Sequence, residues 1–297
     1  MVITCSNISK QFPTVRALDK VSFSVPEHSI FGILGPNGAG KTTLFSVLSG
    51  FILPDEGTFS VLGTSEISEL QGRVGVLPQD AFFQANIPIL YQLRFFLQLM
   101  GWSKEQADSE VGRVMHLVEL DTILLREATT LSHGMFKRLA LAQAFLGNPE
   151  LVILDEPTAG LDWKSTKKIR ETIRELRQNT TILISSHNMN EMHELCDHVG
   201  VLREGNLVSV GPVEEVTGSA VSMTLVLDRP LSHEEQKRCA ELEGVFEFAP
   251  ADENSYRVFF DINFAGEQLN SSVKTLQKTL IDIGVMIKSL QEDNRLE

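Results

Sequence analysis

Several things this chain has little of narrow its function before any motif is read. Across its 297 residues, no stretch approaches the ~18 to 20 consecutive apolar residues that a bilayer-crossing helix needs. The opening MVITCSNISK lacks the apolar core of a secretory leader. The chain is expected neither to span a membrane nor to leave the cell, so action at a membrane would need spanning segments from another polypeptide. Positive charge is also short. Against 39 Asp and Glu stand 26 Lys and Arg, a net charge of −13, which disfavours a nucleic-acid polyanion as partner while leaving a local basic patch open. Cysteine is scarce: Cys5, Cys196 and Cys239 are odd in number, far apart and without metal-ligand spacing. A reducing compartment, the cytoplasm, follows. There is no low-complexity tract. With 42% hydrophobic and 22% charged residues, the composition is that of a folded chain rather than a disordered or fibrous one, and its length suits about two domains.

Val2 to Ile8 and Ala17 to Val25 alternate apolar and polar residues between turn-formers, as strands opening a sheet do. SIFGILG, Ser29 to Gly35, is apolar throughout and reads as a strand buried on both faces. A glycine-rich turn follows, then KTTLFSVLSG with helical spacing, stopping at Gly50. Pro54, Asp55 and Gly57 mark a turn before a strand at Thr58 to Leu62. Between about 81 and 145 the texture becomes helical, which predicts an inserted helical subdomain. LVILD (Leu151 to Asp155), the polar-faced helix KSTKKIRETIRELRQ and TILISS (Thr181 to Ser186) then form a strand-helix-strand unit of a parallel sheet. Beyond Gly211, Val213 to Ser219 reads as a connector. The remainder alternates as βαββαβ, a ferredoxin-like order, with a hairpin turn at Asp252 to Ser255. The expected domains are 1–215 and 219–297.

GPNGAGKT, Gly35 to Thr42, has the spacing of a phosphate-binding loop and lies between a strand and a helix, where its mechanism requires it. Gly35, Pro36, Asn37, Gly38, Ala39 and Gly40 let successive backbone N–H groups curl round a phosphate. Lys41 neutralises the terminal phosphates, Thr42 can ligate Mg²⁺, and Thr43 continues the helix start whose positive end faces the anion. LVILDEP ends a buried strand with two carboxylates, at the strand end where ligands collect in open α/β sheets. Asp155 would hold the Mg²⁺ shell through water, and Glu156 would polarise an attacking water as general base. Alone, Asp-Glu after a strand serves equally as a helix cap; the upstream loop favours the chemical reading.

With these motifs in order, the chain resembles the nucleotide-binding subunit of an ATP-binding cassette (ABC) transporter over about residues 1 to 215. The resemblance extends to Gln79 in VLPQD as the Q-loop, LSHGM as the signature, Asp162 ending AGLD as the D-loop, and His187 in ISSHNMNE as the switch histidine. It implies a P-loop NTPase cassette of α/β class, with a mixed sheet core, a helical subdomain and here a small C-terminal α+β domain. By the same resemblance Gln79 ligates Mg²⁺, His187 contacts the γ-phosphate of ATP, and Phe12 stacks on adenine. Each residue also has a plainer reading: a solvated glutamine, a structural histidine, a core phenylalanine.

In the family the signature usually reads Leu-Ser-Gly-Gly-Gln, and its serine hydroxyl and glycine amide bind the γ-phosphate of ATP held by the facing subunit. Here Ser132 and Gly134 keep those positions, His133 replaces a glycine and Met135 replaces the glutamine. His133 adds bulk where glycine permits close approach; alternatively its imidazole points away, or donates to phosphate when protonated, its ordinary pKa of ~6.5 being near cytoplasmic pH. The resemblance implies two chains facing head to tail around two ATP, as a homodimer or heterodimer. It also implies docking of a permease on the helical insert, with Phe82, Phe83 and the Tyr91 to Trp102 stripe at the dock and Phe95 and Phe96 more plainly subdomain core.

One cassette, no spanning segment and a short C-terminal domain most resemble the ATPase subunits of ABC-2 type and multidrug exporters, peripheral on the inner face of the cytoplasmic membrane. The stretch SLQEDNRLE resembles that group's ending, whose last short helix is expected to be absent or truncated. An importer ATPase would share every cassette motif. A soluble cassette protein acting on ribosomes or DNA is the alternative from another class, disfavoured by the single cassette, the lack of coiled coils and the acidity.

Overall fold

The computed structural model describes residues 1–177, 180–217, 222–252, 254–260 and 267–292, and the backbone alone of Trp163. They divide into two compact units, Met1–Ser186 with Glu194–Val210, and His187–His193 with Gly211–Glu297.

The first unit opens with β1 (Ile3–Phe12) and β2 (Val15–Val25), which pair antiparallel. Alternation sets their faces: Leu18, Val21, Phe23 and Val25 are buried while the residues between them are more exposed. β3 (Ile30–Leu34) is buried at every position, as expected of SIFGILG, and feeds α1 (Lys41–Leu48). Leu44, Phe45, Val47 and Leu48 of α1 enter the same core as Ile3, Ile8, Phe31 and Ile33. Each fully buried aliphatic side chain contributes about 1.5–3 kcal/mol. β4 (Glu56–Val61) pairs with β1, giving the antiparallel sheet β2-β1-β4. This strand begins two residues earlier than its turn chemistry predicts, because Glu56 pairs with Ser9 of β1 across a register shift.

β5 (Val74–Leu77) is a strand that carries no sequence alternation to announce it; it pairs parallel with LVILD. The expected helical insert follows as α2 (Ile89–Leu99), α3 (Lys104–Leu117) and α4 (His133–Ala144). Ile89, Leu93 and Leu97 bury one face of α2, and Ala107, Val111 and Val114 bury one face of α3. Ser103 and Gln106 form a capping box that starts α3.

β6 (Leu151–Asp155), α5 (Trp163–Leu176) and β7 (Thr181–Ser186) make the predicted parallel unit. α6 (Met189–Leu195) leads on to β8 (His198–Arg203) and β9 (Asn206–Pro212), completing a sheet in the order β5-β6-β7-β3-β8-β9. β6 and β7 are buried along their whole length, the mark of parallel strands covered on both faces. The carboxyl ends of β3, β6 and β7 lie side by side: Leu34 is opposite Ser186, and Asp155 is opposite Ser185. Among the described residues no helix is long and apolar enough to cross a membrane.

In the second unit, Val213–Thr217 of the expected connector forms α7, and Ser219 lies outside the described residues. Then come β10 (Ser222–Leu227), α8 (His233–Ala240), β11 (Val245–Asp252), β12 (Ser255–Phe260), α9 (Glu267–Asp282) and β13 (Ile287–Glu292), the βαββαβ order read from sequence. The strands form one antiparallel sheet, β11-β12-β10-β13. Its core gathers Leu225, Leu227, Cys239, Val258, Phe260, Leu276 and Leu280 around Tyr256, whose hydroxyl accepts the Leu231 N–H at 2.7 Å. At the expected hairpin, Asp252 pairs with Ser255, and Glu253 lies outside the described residues. So do 293–297, the end of SLQEDNRLE.

Candidate functional site

The glycine-rich loop leaves the carboxyl end of β3 and turns at once into α1. Gly35 is tied to the neighbouring strand by its N–H, which donates to Ser186 O at 3.2 Å, and Ala39 N–H closes the turn on Pro36 O. Gly40, the residue before α1, has φ +108°, and a Cβ there would stand 2.4 Å from Ala17 O. Only glycine meets both the left-handed backbone and the close approach. The amides of the loop and of the first helical turn therefore converge at a helix N-terminus, where anions are favoured.

Lys41 sits inside this curl, only 5% exposed. Its ammonium donates to Gly35 O at 2.7 Å and Pro36 O at 3.1 Å, and lies 3.0 Å from Glu156 Oε1. An ammonium has three protons, and these three acceptors match them. Glu156 is equally buried, its side chain 9% exposed, and its backbone lies in the left-handed region at φ +47°. For a non-glycine residue that costs about 1 kcal/mol. Ser185 offsets it: its Oγ accepts the Glu156 N–H at 2.9 Å and donates to Asp155 Oδ1. One hydroxyl thus holds the Asp155 carboxylate and the Glu156 backbone together at the sheet end. A phosphate bound in the loop would compete with Glu156 for Lys41, which couples anion binding to release of a carboxylate.

Beside the loop, Thr42 Oγ1 reaches Gln79 Oε1 at 3.5 Å, so two of the three expected metal-binding residues meet directly. Asp155 is the third, held by Ser185. All are hard oxygen donors of the kind Mg²⁺ takes. Pro36, Asn37 and Gly38 form the exposed rim of the loop, and Thr43 is half-buried in α1.

The signature stands at a helix start, as anticipated. Ser132 caps α4, its Oγ accepting the Met135 N–H at 3.4 Å. Asp162 caps α5, accepting from Ser165 N–H at 3.0 Å and Ser165 Oγ at 2.8 Å. These bonds hold the Asp162 carboxyl below the usual carboxylate range. The two caps are neighbours. A Cβ on Gly134 would lie 2.7 Å from Ser165 Oγ, and a Cβ on Gly160 would lie 3.5 Å from His133 Nε2. The His133 imidazole therefore lies beside Gly160 of its own chain.

Two side chains depart from expectation. Phe83, read as part of an exposed dock, is buried edge-on against Phe136. Phe95, read as core, is 56% exposed, because α2 turns Leu93 and Leu97 inward and position 95 outward. Phe12 is outside the core at the β1–β2 hairpin, with Lys10 Nζ 6.0 Å from its ring centre. Phe96 is half-buried, and Phe82 and Tyr91 are exposed as expected. His187 directly follows β7, is exposed, and belongs to the second compact unit with the start of α6.

Two participants escaped the sequence reading. Ser185 is one; its signal is a pair of serines ending an otherwise apolar strand. Lys137 is the other: nearly buried on α4, it donates to Gln79 O at 3.3 Å and links the signature helix to the Q-loop. A lysine at the fifth position of a helix reads as solvated, and only the packing of α4 against that loop reveals the bond.

The family model described as ABC transporter matches residues 18–159. The Nod factor export ATP-binding protein I of Burkholderia orbicola is 34% identical over 224 residues, covering 74% of each chain. The bacitracin transport ATP-binding protein BcrA of Bacillus licheniformis is 34% identical over 220 residues, covering 72% of this chain and 71% of that one. Among solved structures, cbiO1 from Clostridium perfringens, part of an ABC transporter complex, matches 72% of this chain and 90% of its own with TM-score 0.66 at 25% identity. A dimeric bacterial ABC transporter cassette matches 71% of this chain and 98% of its own with TM-score 0.65 at 22% identity, a likeness of fold.

Proposed function

We propose, from the premise that this chain belongs to the family of ABC transporter ATP-binding proteins, that it is the ATP-hydrolysing subunit of an exporter. It dimerises around two ATP and drives a separate transmembrane subunit from the inner face of the cytoplasmic membrane. The observation that carries this reading is the buried Lys41–Glu156 pair at the mouth of the phosphate loop, 3.0 Å apart and braced by Ser185.

The phosphates of ATP enter the curl of Gly35 to Thr43, and Lys41 exchanges Glu156 for phosphate oxygen. Glu156, its backbone N–H held by Ser185, orients and deprotonates the water that attacks the γ-phosphorus, and the bond to the β-phosphate oxygen breaks to release ADP. Mg²⁺, held by Thr42, Gln79 and the Asp155 shell, would neutralise charge on the phosphates when bound. His187 contacts the γ-phosphate, and Phe12, exposed at its hairpin, stacks on adenine. Ser132 and Gly134 at the free N-terminus of α4 serve ATP bound by the facing subunit, with His133 and Asp162 beside them. Loss of that γ-phosphate removes the ligand both chains share, and the dimer opens.

The opening must be read by a partner. Phe82, Tyr91, Phe95 and Leu99 are exposed on the helical insert. A cavity of about 270 Å³ lies beside them, lined by Val74, Phe96, Leu99, Met100 and Gln143. Its apolar wall suits a helix from an integral-membrane permease. To test the reading, the Glu156→Gln chain is tagged in its native cell and membranes are extracted in mild detergent with ATP. Copurification of one polytopic membrane protein supports it; recovery of ribosomes or DNA overturns it.

A further inference from the structure

Glu247 lies on β11 of the second unit and is only 8% exposed, a carboxylate where the alternation of VFEFA suggests a solvated strand residue. The burial arises from an irregularity in the ladder: the register of β11 against β12 shifts between Val245 and Glu247. A buried carboxylate is costly unless it is bonded. Glu247 Oε2 accepts the Met189 N–H at 2.6 Å. Met189 is the first residue of α6 and follows His187 by two positions. In the same turn, Asn188 Oδ1 accepts the Glu191 N–H at 2.7 Å, and Arg257 of the adjacent strand β12 reaches Asn190 Oδ1 at 3.4 Å. The sheet of the C-terminal unit thus grips the segment His187–His193 through backbone and side chain.

A packing contact alone does not require a charged oxygen aimed at a backbone amide. The bond restrains the peptide between Asn188 and Met189, the next one along from His187, whereas a side-chain contact would leave that backbone free to pivot. We propose that Glu247 is a positioning residue, through which the C-terminal unit sets the backbone of the switch histidine and so makes ATP turnover depend on that unit. The inference rests on the reading of His187 as the γ-phosphate contact. It implies that a ligand or partner binding the C-terminal sheet can raise or lower hydrolysis without touching the nucleotide.

The test compares steady-state ATP hydrolysis by the full chain, reconstituted with its permease, across a small set of variants. Glu247→Ala is expected to lower kcat about tenfold with KM for ATP little changed, since a charge-assisted bond is lost and the loop is untouched. Glu247→Gln, which keeps an acceptor oxygen, restores most of kcat. Arg229→Ala breaks another ion pair of the same unit, to Glu235 at 2.7 Å, and leaves kcat unchanged.

Should Glu247→Ala fail to fold, Met189→Pro deletes only the donor at a first helical position that tolerates proline. With Met189→Ala as its side-chain control, the proline variant alone is expected to lose turnover. Equal kcat for Met189→Pro and Met189→Ala, or an unchanged kcat in Glu247→Ala beside an inactive His187→Ala, overturns the inference alone. Full activity in His187→Ala overturns the reading of His187 and the inference with it.

Discussion

Lys41 and Glu156 hold one another at 3.0 Å, both buried, on elements far apart in the chain. Removing one partner of such a pair strands the other charge in a poorly solvated site. Lys41→Ala is expected to destabilise the chain by about 3 kcal/mol and to abolish ATP binding. Thermal melting and fluorescence titration with a labelled ATP check both effects; tight ATP binding by this variant would remove Lys41 from the site.

Glu156→Gln keeps the shape and loses the base. Hydrolysis is expected to fall by about a hundredfold or more, with ATP affinity retained. Size-exclusion chromatography with ATP and Mg²⁺ should show a stable dimer, and a chain that stays monomeric counts against the facing-subunit arrangement.

His133 lies beside Gly160 of its own chain, in the stretch that leads to Asp162. His133→Gly is expected to loosen the signature against that stretch and change the hydrolysis rate about two- to fivefold, an effect of about 0.4–1 kcal/mol. An ATPase assay at saturating ATP measures it. Unchanged affinity and rate would make this departure from the usual signature neutral.

Gly75 on β5 passes so close to α4 that a Cβ would fall 1.8 Å from Ala144 O. Backbone cannot yield as a side chain can. Gly75→Ala is expected to cost about 2–4 kcal/mol, seen as a lower Tm in thermal unfolding.

Burial pushes the Cys5 thiol from 9.0 up to about 12. A folded-state value above the unfolded one means that its contribution is fully present below pH 9 and is lost as pH rises toward about 12. Urea unfolding at several pH values between these limits should show stability falling in the native chain and falling less steeply in Cys5→Ala. Equal slopes would mean that the thiol is not desolvated.

The phosphate loop was legible because its mechanism is local: strand, tight turn and helix start must be adjacent in the chain, so Gly35 to Thr42 carry their own context. LVILD and TILISS were legible because a strand buried on both faces needs an unbroken apolar run. β5 was not, since a short strand containing Gly75 is defined by its neighbour β6 and by the backbone of α4. Phe83 and Phe95 exchanged places because aromatic content marks a helix as apolar without fixing which side of it faces the core.

From sequence alone came the nucleotide-loop chemistry, the identity of the carboxylates and the βαββαβ order of the second unit, since each depends on residues within a few positions of one another. Tertiary structure alone decided that Lys41 pairs with Glu156, that one hydroxyl from Ser185 holds the Asp155 carboxylate and the Glu156 backbone together, and that His133 lies beside Gly160. It also brought Glu247 to the amide of Met189. These are meetings between segments far apart in the chain, made by strand register and helix packing, and no local pattern encodes them.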